Sequence, residues 1–117
     1  MSMPHRISFK HAIAGLGYVL KNHPNMKVHG LLGLMAVVVG WVLGISTLEW
    51  LILSFTMVLV MMAEMVNTAI ESMTDLITTE YRHQAKVAKD VSAGMVLVTA
   101  VGAVIVGLVI FLPKIVS

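Results

Sequence analysis

The sequence predicts an all-α integral membrane protein, with three transmembrane helices preceded by an N-terminal amphipathic interfacial helix. Composition is the first ground, since 58% of the 117 residues are apolar, only 12% are charged, and mean hydropathy is +0.92. Soluble domains do not have this balance. Uncharged runs are the second ground: Gly30 to Leu48, Trp50 to Ala63 and Val91 to Leu112. A helix needs roughly 20 apolar residues to cross the hydrocarbon. Orientation is the third, because seven of the eight basic residues fall on one side of that arrangement and Lys114 alone on the other. Basic residues near span ends gather in the cytoplasm. This places the N-terminus on the cytoplasmic side of the membrane, in a multi-pass protein.

The interfacial helix is predicted over residues 6–21. Phe9, Ile13, Leu16 and Leu20 recur at helical spacing, with Lys10, His11 and Lys21 elsewhere on the circumference. Such a helix lies on the inner leaflet. Asn22 to Asn25, around Pro24, are expected to end it. The transmembrane helices are predicted at about 28–47, 49–77 and 86–112, in a single domain. Ile45 to Thr47 allow only a short turn between the first two, hence an antiparallel hairpin. Glu49 is expected in that turn, between the first two runs, Thr78 to Lys89 form the one sizeable internal loop, and Pro113 is expected to stop the last helix. Gly40 and Gly44 form a small-residue step suited to close helix contact.

The second span carries the chemistry. After fourteen uncharged residues it meets Glu64, followed by Asn67, Glu71 and Asp75. At 100° per residue these fall at about 0°, −60°, −20° and +20°, so the three carboxylates share one narrow stripe. A carboxylate at bilayer depth costs roughly 2 to 3 kcal/mol even on lenient scales, so such residues face a protein interior and mark function. The stripe reads first as a metal site, with Lys86 and Lys89 as further cations. A chain of this length is too small to enclose a polar cavity alone, which implies a homo-oligomer. Absence of cysteine removes disulfides, thiolate catalysis and zinc-thiolate sites. No short apolar stretch with a small-residue cleavage site follows the basic N-terminus, so no cleaved signal peptide is expected.

The stretch Glu64-Met-Val-Asn67-Thr68-Ala69-Ile70-Glu71, followed by Asp75 and by Ala88-Lys89-Asp90-Val-Ser-Ala-Gly94, resembles the signature of the small prokaryotic diacylglycerol kinase family. The likeness extends over nearly the whole chain. It implies a homotrimeric membrane kinase that moves the γ-phosphate of ATP onto a lipid alcohol, with active sites shared between subunits. The last span looks more like the Gram-positive-type branch that phosphorylates undecaprenol than the branch devoted to diacylglycerol. By the resemblance, Glu64 is the general base, Glu71 the Mg²⁺ ligand, and Asn67, Asp75, Lys89 and Asp90 serve the nucleotide or hold the lysines. Phosphoryl transfer needs positioning, charge neutralisation and an oriented hydroxyl, and acids beside lysines are suited to supplying these. Glu64 lies about 10 Å deeper along the helix than Glu71, at the depth of a lipid hydroxyl.

Two positions depart from the family. Where members carry a glutamate that helps to bind magnesium, the sequence has His23, and an imidazole is a poor ligand for so hard a cation. A metal bound through water, weaker activity and an unusual substrate are the alternatives. Arg6 lies near, but out of register with, a nucleotide-contacting arginine of some members. No soluble-kinase phosphate loop is present, and no nucleic-acid partner is expected. The competing reading is a non-catalytic small membrane oligomer, either an ion or proton relay or a structural subunit, in which the acids form buried ion pairs.

Overall fold

The computed structural model describes residues 8–117, and within them the chain is entirely α-helical. Arg6 and Ile7, the first two residues of the expected 6–21 helix, lie outside that range. Helix α1 spans Phe9–Asn22, α2 Pro24–Leu43, α3 Thr47–Ile77 and α4 His83–Val116. The last three are long and apolar enough to cross a membrane.

The joints explain where each helix begins and ends. His23, at φ −122° and ψ 103°, closes α1 through its N–H to the Val19 carbonyl and at the same time opens α2. Pro24 is therefore not part of a linker. It is the first residue of the next helix, a position that favours proline because the missing N–H would have no helical partner and the fixed φ is already helical. The extended backbone of His23 is the conformation that a following proline imposes.

Gly44 ends α2 at φ 63° and ψ 51°, the left-handed region where a side chain is disfavoured. Ile45 N–H then returns to the Gly40 carbonyl at 3.2 Å. Only one of the two glycines thus acts as a packing surface. A Cβ on Gly40 would come within 3.0 Å of both Ile45 and Trp50, whereas Gly44 makes the turn. Ser46 and Glu49 complete a reciprocal cap, with Glu49 N–H donating to Ser46 Oγ at 3.2 Å and Ser46 N–H donating to Glu49 Oε1 at 2.9 Å. Glu49 accordingly belongs to the first turn of α3 rather than to the loop.

Two further boundaries differ from the sequence reading. The loop between α3 and α4 is only Thr78 to Arg82, because α4 starts at His83. At its other end α4 continues through Pro113 to Val116. A proline so close to a helix end forfeits one hydrogen bond to a carbonyl four residues back, and the last turn is tied elsewhere. Lys114 Nζ lies 2.7 Å from Glu49 Oε2, across the hairpin.

Helices α3 and α4 form the main antiparallel pair, with α2 against their capped end. Ile45, Leu53 and Ile110 are buried there, with Trp50, Met57 and Phe111 packed around them. Val19, Met26 and Val60 are buried as well, but most of the other large apolar side chains point outward, among them Leu34, Trp41, Phe55, Leu97 and Ile105. The opposite end of the α3–α4 pair is polar inside. That inversion, apolar outside and polar within, positions the site.

Candidate active site

The second half of α3 buries Ala63, Glu64, Asn67, Thr68 and Thr74. Glu64, Asn67 and Thr74 fall on one side of the helix, and Asn67 reaches α4 through Ser92. Two hydroxyls on this face are satisfied locally, Thr68 Oγ1 donating to the Glu64 carbonyl at 2.9 Å and Thr74 Oγ1 to the Ile70 carbonyl at 2.7 Å. Neither competes for the carboxylates.

Glu64 is 2% exposed, and its Oε2 has no hydrogen-bond partner among the described residues. A buried carboxylate oxygen without a donor is costly, and each such exception calls for a reason. Asn67, one turn nearer the loop and 8% exposed, is held from both ends. Its Oδ1 accepts from Ser92 Oγ at 2.7 Å, and its Nδ2 donates to Glu71 Oε1 at 3.2 Å. Further along, Asp75 Oδ1 accepts from Lys89 Nζ at 2.6 Å. Lys86 pairs with Asp90 within α4, and Arg82 with Glu80 in the loop.

The structure thus joins Asn67 to Glu71 and Asp75 to Lys89, and buries Glu64 further along α3 with its Oε2 unpartnered among the described residues. Asp75, Lys86, Lys89 and Asp90 line one cleft of about 380 Å³ at the loop end of the pair, together with Arg82 and Thr74. Glu64, Asn67 and Glu71 do not line it and stand higher along α3. His23 lies at the α1–α2 joint, its ring tilted toward Tyr18 with centroids 6.4 Å apart. Among the described residues no three His, Asp or Glu side chains converge as a metal cage. Magnesium needs no such cage, since one or two carboxylates and several phosphate or water oxygens make up its shell. The donor chemistry of Glu71 fits that part of the shell.

Ser92 was not singled out by sequence reasoning. It is a small polar residue three positions beyond Lys89 in an otherwise apolar run, and that spacing puts both on the face of α4 turned to the stripe. The Glu49–Lys114 pair was also missed, because Pro113 was expected to end the helix before Lys114 could reach back.

Comparison with known proteins bears on this arrangement. The pattern of the family described as prokaryotic diacylglycerol kinase matches residues 10–111. Over 95% of its length the chain is 38% identical to a diacylglycerol kinase of Synechocystis, and it spans 64% of that longer protein. It is also 38% identical to the undecaprenol kinase of Bacillus subtilis, covering 92% of this chain and 87% of that one. Identity to the diacylglycerol kinase of Escherichia coli is 32%, over 83% and 85% of the two chains.

Proposed function

The chain belongs to the prokaryotic diacylglycerol kinase family of membrane lipid kinases, and on that premise we propose that it transfers the γ-phosphate of ATP to a lipid alcohol, undecaprenol or diacylglycerol, at the cytoplasmic face of the inner membrane. The observation that carries this reading is the buried Oε2 of Glu64, unpartnered among the described residues and set on the same side of α3 as a hydrogen-bonded amide, a second carboxylate and an aspartate that a lysine of α4 reaches.

Depth supports the division of labour. Twenty residues counted from Thr47 end near Val66, so Glu64 lies within the last turn of a span while Glu71 and Asp75 stand beyond it. Glu64 meets a hydroxyl at the boundary, and Glu71 and Lys89 meet the charged phosphates outside. As the lipid oxygen forms its bond to the γ-phosphorus, the bond from that phosphorus to the β,γ-bridging oxygen breaks and ADP leaves. Glu64 takes the hydroxyl proton. Lys89 offsets charge on the phosphates, Asp75 and Asp90 hold the two lysines at the cleft, and Asn67 orients Glu71. Bound magnesium would be held by Glu71 and would neutralise charge on the phosphoryl group being transferred. His23 occupies the position of the family's second magnesium ligand, where contact through water suits an imidazole.

Assembly completes the proposal. The described residues turn wide apolar faces outward, which a homotrimer with shared sites and surrounding lipid would cover. Helix α1 turns Phe9 and Ile13 outward, as an interfacial helix on the inner leaflet requires.

The test is a transfer assay with purified protein in detergent, Mg²⁺, ATP labelled at the γ-position, and undecaprenol or diacylglycerol offered separately. Labelled lipid phosphate is expected, with undecaprenol favoured. Absence of label in both lipids would overturn the reading.

A further inference from the structure

We propose that Ser92 is a positioning residue that fixes the orientation of the Asn67 side-chain amide and, through it, Glu71. The Ser92 hydroxyl lies 2.7 Å from Asn67 Oδ1 and 3.0 Å from the carbonyl of Lys89, and it has one proton to give. The chemistry of the neighbours decides where it goes. A carboxylate only accepts, so the Asn67 atom facing Glu71 Oε1 at 3.2 Å must be the donor Nδ2. Oδ1 is then turned to α4, where it needs a donor of its own. Ser92, only 2% exposed, supplies it. The Lys89 carbonyl is left as the longer, secondary contact.

Without the hydroxyl, Oδ1 would be a buried acceptor with nothing to accept, and reversing the amide would set that oxygen against Glu71. Neither orientation is then good. The amide would sample both, and the carboxylate that it holds would lose its fixed rotamer. Ser92 also accounts for how α4 bears on the site: a single turn of that helix carries both the lysine that reaches Asp75 and the hydroxyl that reaches Asn67. Loss of an outer hydrogen-bond partner of a metal-site group typically lowers metal affinity or activity by about 10- to 100-fold.

The kinetic part of this assignment rests on the proposed roles of Asn67 and Glu71, so the test has one readout independent of turnover. Protein labelled with ¹⁵N-asparagine carries three such amides, Asn22, Asn25 and Asn67. Ser92→Ala should speed hydrogen exchange of the Asn67 side chain and leave the other two unchanged, while Ser92→Thr, which keeps the hydroxyl, should restore protection. Unchanged Asn67 exchange in Ser92→Ala overturns the orientation whatever the enzyme does. In the transfer assay, Ser92→Ala should raise the half-saturating Mg²⁺ and lower kcat by about 10- to 100-fold with the lipid KM unchanged. The same substitution should add nothing in an Asn67→Ala background. An equal loss in both backgrounds would show that Ser92 acts by another route and overturn the positioning role. A wild-type protein inactive toward both lipids would instead overturn the kinase reading and the kinetic half of the assignment, with the exchange result deciding the rest.

Discussion

Lys89 Nζ and Asp75 Oδ1, fourteen residues apart in sequence, meet at 2.6 Å across the α3–α4 pair. The contact stands at the mouth of the polar face, where both side chains are half exposed to the cleft. In the proposed function, a lysine held this way is oriented before the phosphate arrives, and the phosphate competes with the Asp75 carboxylate for it. Lys89→Met should therefore lower kcat/KM for ATP by about 100- to 1,000-fold, the range for removing one preorganised charge partner. Asp75→Asn keeps the cation and should cost less, with the change confined to KM. Initial rates against ATP concentration separate the two, and an effect of Asp75→Asn as large as that of Lys89→Met would show that the aspartate does more than hold the lysine.

Magnesium dependence distinguishes Glu71 from His23. Glu71→Gln removes the carboxylate proposed to hold the ion and should raise half-saturating Mg²⁺ by about 10-fold or more. His23→Glu supplies the oxygen ligand that the family pattern calls for and should lower it. Titration of activity with Mg²⁺ in each variant is the measurement. A His23→Glu protein with the wild-type midpoint would remove His23 from the metal's surroundings.

The capped end of the hairpin should govern stability without touching the chemistry. Ser46→Ala removes the side-chain acceptor of the Glu49 N–H and should cost about 1 kcal/mol. Gly44→Ala places a Cβ at φ 63° and should cost a similar amount, about 1 to 2 kcal/mol. Lys114→Met breaks the pair with Glu49 and should destabilise in the same direction. Unfolding midpoints in mixed detergent check all three, together with kcat values expected to match wild type.

Much of this molecule can be read from its residues because membrane spans announce themselves by length and charge, and because acids at bilayer depth are rare enough to identify. The stripe of Glu64, Asn67, Glu71 and Asp75 needed only helical periodicity. Helix ends were harder. Pro24 signals either a break or a first helical turn, and only the helical course of the chain from Pro24 onward decides between them. Pro113 reads as a stop, yet the pairing of Lys114 with a residue 65 positions earlier compensates for it. Such partners are invisible to local pattern. Gly44 and Gly40 share one spacing but do different work, since the first turns the chain and the second admits Trp50. Ser92 escaped notice because a lone serine in an apolar helix has no signal of its own, and it acquires meaning only when α4 is laid against Asn67.

The most direct test of the whole account is phosphoryl transfer by Glu64→Gln, a change that keeps shape and removes the proton acceptor. Purified variant and wild type would be compared for helical content and subunit size, then given Mg²⁺, labelled ATP and each lipid alcohol. A folded variant whose transfer rate falls by about 100- to 10,000-fold is the expected result. A rate equal to that of the wild type would contradict the assignment of Glu64 as the base.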